Sequence, residues 1–155
     1  MTQSHWKERY PRLKALHLDF EAGGMKERYP QFRLVDDGRY LSFRGPMKTN
    51  YGGLYQVEIR LPHSFPDKEP TFWVLSPKLP ENTQHRYAPG NLCAHADPYV
   101  PYQTTIASLV SVVAGWLFRF ERHHFHKVPW NDPIEPPGKR LAVDPDGRLY
   151  IQNAR

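Results

Sequence analysis

One stretch of this chain repeats its apolar residues at helical spacing for about four turns: Ile106, Leu109, Val110, Val113, Leu117 and Phe120, with Trp116 widening the stripe. The periodicity predicts a helix from Thr104 to about His123. A helix with so wide an apolar face has to be covered by another layer of the same domain. Strand signals elsewhere supply that layer. Phe32–Val35 stops at the turn Asp36-Asp37-Gly38. Arg39–Arg44 alternates, with Tyr40 and Ser42 on one side and Leu41 and Phe43 on the other, and Gly45-Pro46 closes it. Tyr51–Leu61 carries Leu54, Val57, Ile59 and Leu61, and Thr71–Leu75 follows a turn marked by Pro62, Pro66 and Pro70. Four short strands joined by glycine-containing turns read as an antiparallel meander. The fold class expected is α+β.

Two further elements flank this unit. Residues 4–20 read as an N-terminal helix, with Ser4 as a cap and Trp6, Leu13, Leu16 and Phe20 near one face; Pro11 interrupts that pattern, so the alternative is a helix that starts only there with proline in its first turn, and Gly23-Gly24 ends the segment. The proline-rich tail from Pro129 gives Arg140–Val143, the turn Asp144-Pro145-Asp146-Gly147 and Arg148–Gln152, which read as a terminal hairpin. The 155 residues fit one domain, 1–155, with the segment 129–155 as its C-terminal extension. Aromatics at 14% supply much of the core of a chain whose hydrophobic content is only 39%.

Charge and composition narrow the function. The net charge of +5 is scattered and forms no long run of one sign, so nucleic-acid binding is not indicated and an acidic protein partner explains the charge as well. No stretch approaches the length of an apolar membrane span, and the N-terminus lacks a signal core, so a cytoplasmic protein is expected. A single cysteine, Cys93, can make neither an internal disulfide nor a Cys-x-x-Cys zinc site. His123, His124 and His126 read as a polar helix end, where positive charge suits the helix dipole. No metal site and no nucleotide or organic cofactor is expected.

The chemistry concentrates in residues 76–103, which have no period and carry Pro77, Pro80, Pro89, Pro98 and Pro101 around Cys93. An aperiodic loop this long in a compact domain is usually functional. A thiolate is a strong nucleophile and a thioester a good acyl carrier. His85, in His85-Arg86-Tyr87-Ala88-Pro89-Gly90-Asn91-Leu92-Cys93, can donate a hydrogen bond to an oxyanion. From chemistry alone, the reading of a lone cysteine as a small buried hydrophobe stands beside this one.

The order of motifs resembles that of ubiquitin-conjugating enzymes. Tyr55-Gln56-Val57-Glu58-Ile59-Arg60-Leu61-Pro62, then Phe65-Pro66 and Pro70, look like the family's third strand and proline turn. Trp73-Val74-Leu75-Ser76-Pro77 looks like its next strand. Gly90-Asn91-Leu92-Cys93 resembles its glycine-x-aliphatic-cysteine element, and Tyr99-Val100-Pro101 with Thr104-Thr105-Ile106 resembles its helix entry. Where the eukaryotic family has the asparagine of His-Pro-Asn, eight residues before the cysteine, this chain has His85; where it has a tryptophan, this chain has Tyr99. The combination is similar to bacterial ubiquitin-conjugating-like proteins, including those encoded in anti-phage operons with cyclic-oligonucleotide synthases. The resemblance covers roughly residues 4–125.

The resemblance implies a catalytic pair, Cys93 and His85, with Tyr87, Asn91, Asp97 and Tyr99 as substrate contacts. Asp132, before Pro133, resembles an Asp-Pro element beyond the active-site helix and would orient an incoming amine. A turn residue before proline reads equally well. The implied partner is a protein with a conjugatable C-terminus, either a ubiquitin-like protein or a cyclic-oligonucleotide synthase, served where needed by an activating enzyme. Two rivals remain: an inactive protein-binding module of the same fold, and a cysteine hydrolase using Cys93 and His85.

Overall fold

The computed structural model describes residues 11–134 and 139–153. Helix α1 spans Pro11–Arg28 and helix α2 spans Ile106–His126. Strands β1 (Arg33–Asp36), β2 (Leu41–Lys48), β3 (Leu54–Leu61) and β4 (Thr71–Ser76) form an antiparallel meander in the order β1-β2-β3-β4. Strands β5 (Lys139–Val143) and β6 (Leu149–Asn153) pair as a separate hairpin. The architecture is α+β, as the resemblance implies.

Helix α2 organises the core. Thr105 caps its start: the backbone is extended there, and Oγ1 accepts the Ser108 N–H. Ile106, Leu109, Val110, Val113, Trp116, Leu117 and Phe120 are buried, in one cluster with Phe43, Val57, Ile59 and Phe72 of the sheet. The register sets Phe43 beside Ile59 and Ile59 beside Phe72, so these rings and branched chains share a face. Each fully buried side chain of this size contributes about 1.5–3 kcal/mol. The helix continues past the expected His123 and stops at Lys127, whose φ of 58° is left-handed.

The opposite face of the sheet is held by charge. Glu58, fully buried on β3, accepts from Ser42 Oγ (3.2 Å), Arg44 Nε (2.6 Å) and Arg60 Nε (2.8 Å). The Arg60 guanidinium lies 4.1 Å from the ring centre of Trp73. Ser42 is therefore buried together with Leu41 and Phe43, although it points to the other side of the strand.

Three further boundaries differ from expectation, each for a tertiary reason. Helix α1 does not end at Gly23-Gly24 but runs on to Arg28, because Met25 packs into the core within it and Tyr29 just beyond. Its buried side is Glu21 and Met25 with Ala22 and Leu18 partly covered, whereas Leu16 and Phe20 are exposed. Ser4 and Trp6 lie outside the described residues, as does the side chain of Leu13. Strand β2 does not close at Gly45-Pro46. A Cβ on Gly45 would stand 2.8 Å from the Phe32 ring, so glycine permits that approach. Beyond Arg44 the strand has lost β1 as a partner, and such an edge tolerates proline. Strand β3 begins at Leu54, since Thr49–Gly53 are used in a turn in which Gly53 N–H donates to Thr49 Oγ1 at 2.8 Å.

The hairpin is docked onto the domain. The Asn50 side chain pairs with Leu149 as a strand would, donating to its carbonyl at 2.7 Å and accepting its N–H at 2.9 Å. Lys48 N–H donates to the Asp146 carbonyl (2.9 Å), and Gln31 Nε2 to the Pro145 carbonyl (2.6 Å). No described helix is long and apolar enough to cross a membrane.

Candidate active site

Residues 85–93 fold back on themselves. Cys93 N–H donates to the His85 carbonyl (2.8 Å), Tyr87 N–H to the Asn91 carbonyl (2.9 Å) and Gly90 N–H to the Tyr87 carbonyl (2.9 Å), with a β-bridge between Arg86 and Leu92. Gly90 turns the chain at a φ of 109°, where any side chain is strained. Buried Leu92 anchors the turn, and its N–H donates to the Phe72 carbonyl of β4 at 2.8 Å. Arg86 Nη2 donates to the Pro80 carbonyl at 3.0 Å. The result is an exposed free thiol at the end of a backbone that is fastened to the sheet. The buried-hydrophobe reading of Cys93 is overturned: the buried residue is its neighbour Leu92.

His85 is fastened twice. Its carbonyl accepts the Cys93 N–H and also the indole Nε1–H of Trp116 on α2 (3.0 Å). Its ring stacks on Trp130, with centroids 4.3 Å apart and planes 21° from parallel. Its φ of 59° is unusual for a non-glycine residue. Trp130 is placed by two arginines of α2. Arg119 Nη1 donates to the carbonyls of Trp130 (2.7 Å) and Asp132 (3.1 Å), and Arg122 Nη2 to that of Asp132 (2.6 Å). The Asp132 carboxylate stays at the exposed surface.

Tyr87 is exposed on the loop that carries the thiol. Its hydroxyl lies 2.6 Å from His95 Nε2, and His95 Nδ1 lies 3.0 Å from Glu69 Oε2. The neighbouring Cys93 first, then partial desolvation and the charge of Glu69, hold the phenol pKa above its ordinary value. Tyr99 is engaged elsewhere: its hydroxyl donates to the Pro66 carbonyl at 2.6 Å, and burial pushes its pKa up. Asp97 is exposed.

Glu69, His95 and Trp130 were not marked by any motif. Glu69 stands 26 positions before His95, and only the fold of the loop over β4 brings them together. The three histidines near the end of α2 go separate ways. His123 Nδ1 lies 2.9 Å from the Val128 carbonyl, His124 stacks on Phe120 and His126 packs on Tyr51.

Compared with known proteins, residues 21–135 match a family model described as Type II CBASS E2 protein. That span runs from within α1 to just beyond Asp132, and so contains the sheet, the Cys93 loop and α2. No curated protein and no solved structure gives a significant match.

Proposed function

From the premise that this chain belongs to the Type II CBASS E2 family, as an E2-like protein of bacterial anti-phage defence, we propose that it is an acyl transferase with Cys93 as its nucleophile. The Cys93 thiolate attacks the activated C-terminal carbonyl of a partner protein. A thioester forms and the activating group leaves. An acceptor nucleophile, such as an amine, then attacks the thioester carbonyl and releases the thiolate. The observation that carries this reading is the exposed thiol of Cys93 at the end of a loop pinned to β4 and α2. Such fastening supplies exposure with little freedom to move, which an attacking atom needs.

His85 serves in this reading mainly to hold the loop, through its carbonyl and its stacked ring. Tyr87 and Asn91 shape the turn that presents the sulfur, and Asp97, Tyr99 and Asp132 are candidate contacts for the incoming groups. The acyl donor is a ubiquitin-like protein or the C-terminus of a cyclic-oligonucleotide synthase. A cysteine hydrolase is the second reading, since a carboxylate–imidazole pair, Glu69 and His95, meets Tyr87 of the loop that carries the thiol.

The test is mass spectrometry of the protein expressed with its genomic neighbours. A protein adduct on Cys93 is expected that thiols cleave. Cys93→Ser should give a more stable oxyester, because an alkoxide leaves less readily than a thiolate. An adduct that survives thiol, or that forms on Cys93→Ala, overturns the proposal. Release of free partner without an accumulating adduct favours the hydrolase.

A further inference from the structure

Glu121 is buried on α2 with one carboxylate oxygen bonded and the other not. Oε2 accepts from the Tyr55 hydroxyl at 2.9 Å. Burial first, then that bond, raises the Tyr55 phenol pKa, so the hydroxyl remains a donor. Oε1 has no hydrogen-bond partner, and no described lysine, arginine or histidine forms an ion pair with the group. A carboxylate only accepts, so the partner it lacks is a donor. Leaving a buried charge unpaired is costly. The backbone beside Glu121 is nevertheless shaped around it: a Cβ on Gly53 would collide with Oε2, so only glycine lets the turn between β2 and β3 pass there. The carboxylate borders a cavity of about 360 Å³, which shares no residue with the Cys93 loop. Tyr51, Leu54 and Phe125 form its exposed rim. Tyr51 is held from both ends: its ring packs on His126 (4.5 Å between centroids), and its neighbour Asn50 pairs with Leu149.

We propose that this cavity takes the guanidinium of an arginine side chain from a partner protein. A guanidinium is planar, carries five donors and no acceptor, and is weakly hydrated. It can donate to Oε1 while it rests against aromatic carbon. An ammonium gives up stronger hydration on entering the same apolar walls. One carboxylate among such walls also lacks the set of oxygens that a calcium or magnesium ion takes. The rim points to a polypeptide as the source. Residues flanking the arginine can cover Tyr51, Leu54 and Phe125, which a small cation would leave in water. These rim side chains turn to admit the group, and their exposure leaves room for that. The inference goes beyond the transferase reading and does not depend on the chemistry at Cys93.

The test is an NMR titration of the full chain with the end-blocked peptide Ala-Arg-Ala, followed at the amides of Gly52, Gly53 and Phe125. Saturable shifts are expected at these amides. Peptides with citrulline or lysine in place of arginine should bind about tenfold more weakly, the effect of losing one charged hydrogen bond. The arginine peptide should lose a similar factor on Glu121→Gln, which keeps an acceptor for Tyr55. Absence of saturable shifts, equal binding of the citrulline or lysine peptide, or unchanged affinity in Glu121→Gln overturns the proposal. Propylguanidinium that binds as tightly as the peptide overturns the protein partner and assigns a small guanidinium compound instead. Should Glu121→Gln not fold, Phe125→Ala decides: it shortens an exposed wall and keeps the carboxylate, and unchanged affinity again overturns the proposal. The titration needs no acyl donor. Its failure leaves the transferase reading standing, and peptide binding with no adduct on Cys93 rejects that reading only.

Discussion

The indole N–H of Trp116 donates to the carbonyl oxygen of His85 at 3.0 Å, and so fastens the loop that carries the thiol to the helix that fills the core. The same ring is buried and stacked on Phe120, 5.5 Å between centroids. One side chain thus serves packing and loop placement together, and substitution can separate the two.

Trp116→Phe keeps an aromatic ring in the core and removes the donor. A loss of about 1 kcal/mol is expected in urea denaturation, with slower loading of Cys93 in a single-turnover assay. Trp116→Ala should cost about 3–5 kcal/mol. Unchanged loading in a folded Trp116→Phe protein would mean that the tether has no bearing on the thiol. Cys93→Ala, at an exposed position, should leave stability within about 0.5 kcal/mol of wild type.

His85 separates placement from chemistry. His85 already sits in the left-handed region, which alanine tolerates less well than histidine, and His85→Ala also loses the stack on Trp130. The melting temperature and the rate of thioester discharge should therefore fall together. His85→Asn should restore much of both, because asparagine tolerates that backbone. If instead discharge falls about a hundredfold with melting unchanged, the side chain acts on the oxyanion.

Glu58 tests the charged face of the sheet. Glu58→Ala removes the acceptor of Ser42, Arg44 and Arg60 at once. Both arginines are partly exposed and can turn to water. The expected cost, about 2 kcal/mol, is accordingly below the 3–5 kcal/mol of a fully buried broken pair. Because the carboxylate is buried, the difference should change little between low and high salt. Denaturant melts at two salt concentrations measure both numbers.

What the sequence made legible depended on whether burial follows a period. Helix α2 and strand β3 bury residues at regular spacing, and their type was readable; β4 buries only Phe72 fully and was readable from its apolar run after the proline turn. Helix α1 was misread because its large apolar residues Leu16 and Phe20 face outward while Glu21 faces in. Packing of Met25 carries the helix through Gly23 and Gly24, at a propensity cost of about 1 kcal/mol each. At the site, the loop around Cys93 was readable from its glycine, its aliphatic residue and its prolines. Glu69, His95 and Trp130 were not, because they meet the loop only through contacts that the tertiary fold creates.

Glu21 gives a prediction about pH. It is buried on α1, and its Oε2 accepts the N–H of Ile106 in the first turn of α2, while His17 Nε2 lies 3.9 Å from Oε1. Burial raises its pKa above the ordinary 4.5, and the bond to Ile106 opposes that shift without cancelling it. The folded state therefore holds a proton on Glu21 more tightly than the unfolded chain does. The stability this contributes is fully present below the unfolded value, and it is lost as pH rises through the folded value. Glu21→Gln keeps an acceptor for Ile106 and carries no charge at any pH. Other carboxylates titrate in both proteins and largely cancel in the difference. Relative to Glu21→Gln, the wild type should gain stability as pH falls from about 7 towards about 4.5. Denaturant melts of the two proteins across that window measure the slope. A flat difference, or one that favours the glutamine variant at low pH, would mean that the positive end of α2 outweighs burial and keeps the carboxylate ionised.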